Sequence, residues 1–351
     1  LFMSFLGEEN FSHEDKQKVG VIICNLGSPD SYSTKDVRKY LREFLMDGRV
    51  IDVPSFFRFI LVTLIICPIR SFASSKIYQQ LWDLSDGVSP LLKNTEELTK
   101  KLNAEQSEYD VFYAMRYQKP SIDKALEAIK KNNPSELIIF PLFPHYASAT
   151  SGSVFQEVTK KLSKSWVIPS FKFISQYYDH PSFINAWVET ARDFDLAEYD
   201  KIIFSYHGLP NSQVNKVYED NQCDGKNCEH EITAENDYCY KATVYETSKL
   251  IAEKLSLPRE KYEVTFQSRL TNNWLEPFSD DVLKSLPAKG IKKVLVFSPA
   301  FTADCLETVI EIGDEYKELF LEAGGQTLDY VPSLNYSDAW VRAIIDITNS
   351  K

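Results

Sequence analysis

The stretch KIIFSYHGLP, residues 201–210, is an apolar run that ends on a histidine and then turns through Gly208 and Pro210. A short, continuous apolar run closed by turn residues reads as a strand buried on both faces, as parallel strands covered by helices are. Working outward, similar runs stand at 19–25 (VGVIICN), 111–116 (VFYAMR), 136–143 (ELIIFPLF), 168–176 (IPSFKFISQ), 262–268 (YEVTFQS), 292–298 (KKVLVFS) and 326–331 (QTLDYV), with helix-period segments between them. This βαβ rhythm predicts an α/β fold of parallel sheets flanked by helices. The strands form two sets of four, separated by a helical segment around 181–196 that carries the chain from one lobe to the other. The lobes are placed at 18–190 and 197–332, and a last helix within 335–351 is expected to return to the first lobe.

Length and composition agree with this plan. A chain of 351 residues suggests two domains or one large α/β unit, and 44% hydrophobic with 25% charged residues excludes disorder and a disulfide-stapled miniprotein. The 39 basic residues against 50 acidic ones leave a net charge of −11, which argues against nucleic acid as a partner. Cys24, Cys67 and Cys305 sit singly in apolar runs and read as buried free thiols. The polar opening, LFMSFLGEENFSHEDKQ, shows no signal peptide, and the longest uncharged run, 59–69, falls short of the ~20 residues of a bilayer span. The expected location is the cytoplasm, with at most a peripheral contact to the inner membrane. After the first strand comes NLGSPDS, which has neither phosphate-binding glycine pattern, so nucleotide chemistry is not indicated.

In open α/β sheets a ligand sits beyond the carboxyl ends of the strands. His207 is the histidine placed directly at such an end, and the turn after it presents the imidazole to a crevice. His145 is a weaker second candidate, and His13, His180 and His230 lie in polar or loop segments. Beyond the strand 292–298, Glu307, Glu311, Asp314, Glu318 and Glu322 fall on one face of a helix at about 100° per residue. Glu318 and Glu322 read as a solvated face. Glu307 and Glu311 lie in the first turns, where like charges four apart repel each other and a bound cation would relieve the cost.

FSYHGLP at 204–210 and FSPAFTADCLETVIEIGDEY at 297–316 resemble the two signatures of ferrochelatases, which insert ferrous iron into a porphyrin to make haem. GVIICNLGSPDS at 20–31, YLREFLMDGRVIDVP at 40–54, MRYQKPSI at 115–122, FPLFPHYASATSGS at 140–153 and FQSRLTNNWLEP at 266–277 resemble the family in the same order, so the likeness covers nearly the whole chain. It implies two Rossmann-like lobes, each a four-stranded parallel sheet, with a porphyrin cleft between them. The implied reaction places ferrous iron, a substrate, in protoporphyrin IX and releases two protons, as in the bacterial haem-synthesis enzymes. Matched residue by residue, it makes His207 and Glu307 catalytic, adds Glu311 and Asp314 to these two as metal-handling residues, and gives Asn25, Arg116, Tyr117, Trp274 and Phe301 to the porphyrin. An imidazole with an ordinary pKa of ~6.5 suits a proton acceptor, and a carboxylate suits the cation. Position 305 is Cys where certain eukaryotic members have His, and His145 stands where many members have Gln.

Two segments call for separate readings. VIDVPSFFRFILVTLIICPI at 50–69 is too apolar for an ordinary surface helix and too short to span a bilayer, so it is expected to form either a cleft lip that touches the membrane or a porphyrin-delivering enzyme, or a buried core helix. The insert after HGLP carries Cys223, Cys228 and Cys239 in a polar loop, too exposed for core thiols. Some ferrochelatases resemble it in holding a 2Fe-2S cluster, whose fourth ligand here would be Glu229 or, as the better donor, His230; a zinc site and an empty loop are the alternatives. The rival functions are a chelatase for another metal or tetrapyrrole, such as cobalt or sirohydrochlorin, and a non-catalytic haem or metal binding protein.

Overall fold

The computed structural model describes residues 18–223 and 226–350; the opening stretch read for a signal peptide, with His13, lies outside them. The strands are β1 (Val19–Gly27), β2 (Tyr109–Tyr117), β3 (Leu137–Pro141), β4 (Phe171–Phe173), β5 (Lys201–His207), β6 (Tyr262–Gln267), β7 (Lys293–Phe297) and β8 (Thr327–Tyr330). They form two four-stranded sheets, ordered β2-β1-β3-β4 and β6-β5-β7-β8, with every strand pair parallel. Each strand matches one apolar run in the sequence. Interior position explains their composition: Ile22, Ile23 and Cys24 of β1 and Ile202, Ile203 and Phe204 of β5 are fully buried. Each aliphatic or aromatic side chain so buried contributes about 1.5–3 kcal/mol.

The chain divides into two compact units, one reaching Phe143 and resuming over Ala147–Ser175, the other holding Pro144–Tyr146 and Gln176–Ser350. The division therefore falls before the helix Pro181–Thr190, not near 190 as the sequence suggested. The C-terminal helix Asp338–Asn349 is grouped with the second unit, where it packs on the helix Pro181–Thr190 that the sequence reading counts with the first lobe. Its apolar face is satisfied there, since the Trp340 ring lies 5.9 Å from both Tyr177 and Phe183.

In the first unit, Ser55–Asp83 is one continuous helix of 29 residues, wound as a π-helix over Leu61–Ile66. By length and composition it is long and apolar enough to cross a membrane, which corrects the reading of this segment as too short. The uncharged run ends before Arg70, whereas the helix continues to Asp83. It is not a core helix either: Phe56 is 68% exposed, Ile69 69%, and Phe57, Leu64 and Phe72 also face outward.

Candidate active site

The second unit gathers its polar groups at the carboxyl ends of β5 and β6. His207 closes β5, half-buried, and its Nδ1 donates to the Gly208 carbonyl at 2.7 Å. That bond leaves the lone pair on Nε2 free to take a proton or a metal. Gly208 is required by close approach: a Cβ there would stand 3.0 Å from the Gln267 carbonyl and 3.2 Å from the Trp274 ring. The loop after His207 is pinned to the Trp274 segment by a Pro210–Trp274 bridge and a bond from Leu275 N to Leu209 O of 2.9 Å. Trp274 thus stands beside His207, ring centroids 6.3 Å apart.

Gln267, the partner of His207 in the β5–β6 register, joins this end to the acidic helix. Its Oε1 accepts from Ser205 at 2.8 Å, while its Nε2 donates to the Glu307 carbonyl at 3.1 Å and to a Glu311 oxygen at 3.0 Å. Glu311 accepts further bonds from Ser268 N at 2.8 Å, from the Ser268 hydroxyl and from the Tyr316 hydroxyl at 2.8 Å. All these donors are uncharged, so the carboxylate is fixed in place without being neutralised. Burial, together with the Glu311 charge, pushes the Tyr316 phenol up, which keeps it a donor. Cys305 is buried, and burial with the adjoining Glu307 carboxylate holds its thiol protonated.

The acidic segment Glu307–Tyr316 is a π-helix, and this changes its row of carboxylates. With i→i+5 bonding each residue turns through less than the about 100° of an α-helix, so i+7 leaves the line of i and i+8 joins it. Glu315, unread in the sequence, lies near enough to Glu311 and Asp314 to feel both charges. At this exposed end, partial desolvation and the charges of Glu311 and Asp314 raise the Glu315 carboxyl above its usual value. Glu318 and Glu322 follow on the exposed helix Lys317–Glu322, as expected.

The first unit treats its polar strand ends differently. Arg116 bonds Asp47 at 2.7 Å and the Ser153 hydroxyl at 2.6 Å, and Tyr117, fully buried, donates to Asp47 at 2.9 Å. Arg116 is thus held by an internal carboxylate, and the Tyr117 ring, 4.5 Å beneath the guanidinium, lines the core. Asn25 is buried two residues before the end of β1, where it donates to Thr95 at 3.2 Å and accepts from Leu26 N. Gly27, with φ +118°, admits the chain past the Tyr117 carbonyl, which a Cβ would meet at 2.0 Å. Phe301 is half-buried just beyond β7 in the second unit.

The profile of the ferrochelatase family matches residues 18–351. The chain belongs to the ferrochelatase family. Among its relatives, a ferrochelatase of Coxiella burnetii (strain Dugway 5J108-111) is 41% identical over 94% of this chain and 93% of its own length. A ferrochelatase of Legionella pneumophila (strain Corby) is 39% identical over 95% and 99%. Among solved structures, SirB from Bacillus subtilis with Fe3+ has the same fold, with a TM-score of 0.54 at 12% identity and 94% of each chain covered.

Two further sequence readings change within this ferrochelatase fold. His145 is a core residue: its Nε2 bonds Thr247 at 2.9 Å, its ring packs against Tyr178, Tyr206 and Tyr240, and burial lowers its pKa to about 3. A neutral imidazole enclosed by tyrosines has no route to a metal substrate. In the insert, Cys228 and Cys239 are buried, not exposed, and with half-buried Cys223 their Sγ atoms lie within 4.8 Å of one another. His230 is exposed, and no described His, Asp or Glu joins the three thiols at that spacing. Glu229 instead pairs with Lys241 at 2.8 Å.

Proposed function

We infer that His207 and Glu307 carry the reaction of this family, insertion of ferrous iron into protoporphyrin IX to form protohaem. The observation that supports this most is the His207 Nδ1–H bond to the Gly208 carbonyl, which aims a free Nε2 lone pair outward from the strand end. As iron enters the macrocycle, two pyrrole N–H protons leave, and Nε2 accepts them one at a time, passing the first to solvent before it takes the second. Glu307 opens the π-helical row and holds the cation, while Glu311, fixed by neutral donors, keeps a negative charge behind it. Half-buried Trp274 gives the macrocycle an aromatic face next to the imidazole. The test is to mix the purified protein with protoporphyrin IX and ferrous ion anaerobically and follow the porphyrin spectrum. Many turnovers per chain are expected; one equivalent of bound, unmetallated porphyrin would make the protein a binder, and sirohydrochlorin metallated in preference would move it to another chelatase.

The same reading extends to where a poorly soluble porphyrin is met. The exposed apolar helix Ser55–Asp83 lies beside the helix Thr34–Leu45, joined by Arg38, whose Nε bonds Ser71 at 3.2 Å and whose guanidinium covers the Phe72 ring. Lys35, Arg38, Lys39 and Arg42 line an open pocket of about 450 Å³ on that helix. Apolar and cationic groups side by side favour an anionic lipid surface, despite a net charge of −11 for the chain. Flotation with anionic vesicles should carry the protein upward, and Phe57→Glu with Ile69→Glu should abolish this; a wild type that never floats overturns the membrane contact.

A resident 2Fe-2S cluster would need four protein donors. The described residues bring three thiols together, so the set does not fit the cluster and no step is routed through one.

A further inference from the structure

The insert is built to hold something. Cys223 and Cys228 stand in the loop after the short helix Asn211–Asn215, and Cys239 is the residue that caps the helix Tyr240–Lys254. Each is positioned by its own neighbours: Asn215 Oδ1 accepts from Cys223 N at 3.1 Å, Cys239 N donates to Asn236 O at 2.9 Å, and the Tyr218 hydroxyl lies 3.2 Å from Cys228 Sγ. The three Sγ atoms converge within 4.8 Å. Thiolates bound to one zinc-like ion at about 2.3 Å each stand about 3.8 Å apart. In a two-iron cluster, by contrast, each iron takes two of the terminal thiolates, and those on different irons stand farther apart than those on one.

We propose that Cys223, Cys228 and Cys239 bind a single thiophilic divalent ion of the zinc class, whose fourth position a water fills as it could not in a two-iron cluster, with the Tyr218 hydroxyl donating to the Cys228 thiolate. Three thiolates on a divalent ion leave one negative charge, which the nearby Lys241 ammonium, shared with Glu229 at 2.8 Å, offsets only in part. The ion ties the loop to the first turn of the helix Tyr240–Lys254, so it acts as a clip for the insert, separate from the iron that serves as substrate. Softness favours this class over magnesium or calcium, which take oxygen ligands.

The test uses the full chain, purified anaerobically after expression with both iron and zinc supplied. One zinc per chain and no labile sulfide are expected, and cobalt exchanged for zinc should give an intense thiolate-to-cobalt absorption. Cys223→Ser and Cys239→Ser should each lose that absorption and the zinc, whereas Cys67→Ser keeps both. Circular dichroism shows whether a variant has folded, and Cys223→Ser, changed at the half-buried member, keeps the question decidable if Cys239→Ser does not fold. Iron and sulfide in equal amounts, with a brown colour, would overturn the proposal in favour of a two-iron cluster. A wild type that retains no zinc after gel filtration, or a cobalt signal that survives both serine variants, would overturn it as well.

Discussion

The two sheets have the same strand order, yet their corresponding ends are finished in opposite ways. In the first unit β1 carries buried Asn25 two residues before its end, its amide used internally, and β2 ends on Arg116 and Tyr117, both bonded to Asp47. In the second, β5 ends on His207 with Nε2 left over, and β6 ends on Gln267 and Ser268, which hold Glu311 through neutral bonds only. A charge matched by an opposite charge is spent on stability, and one held by dipoles keeps its field. This difference supports our proposal that the second unit carries the proton and cation chemistry, while the Asp47–Arg116 pair is an internal ion pair of the first.

Variants sharpen that contrast. His207→Ala should lower turnover by about 10²–10⁴-fold in a protein of unchanged fold, since it removes the proton acceptor. Glu307→Gln should come close to it, and normal turnover in either well-folded variant would remove the second unit from the chemistry. Glu311→Gln should lose about tenfold in rate and about 1–2 kcal/mol in stability, because an amide cannot accept from all the groups that Glu311 satisfies. Asp47→Asn should leave kcat within a few-fold and cost about 3 kcal/mol of stability, by stranding Arg116; thermal melts measured beside turnover separate the two effects. Burial raises the Asp47 carboxyl, but hydrogen bonds from Ser153 and Arg49 N and the Arg116 charge outweigh it, so the net pKa is lowered. That contribution is therefore present above the unfolded value of ~3.9 and lost as pH falls through the lower folded one, and the gap between wild type and Asp47→Asn should close in that acidic window. Glu318→Gln, on the solvated face, should change nothing; a greater loss there than at Glu307 would reverse the direction in which the row is read.

Much of this was legible from letters alone. Fully buried parallel strands must be continuous apolar runs, so the strands and their grouping show directly, and the turn after His207 follows from Gly208 and Pro210. The family signatures marked Glu307 in the same way. What the tertiary structure decided depends on partners distant in sequence or on backbone winding. Nothing in the letters shows that Arg116 has an internal partner, Asp47, 69 residues back. Cys228 and Cys239 read as exposed because their loop is polar, and become buried when the loop folds on itself. The acidic row read at about 100° per residue runs through a segment that winds as a π-helix, and hydrophobic periodicity in so short a stretch does not distinguish that winding from an α-helix. Sequence determines which side chains are available; only the folded backbone determines which of them share a neighbour, and electrostatics acts through neighbours.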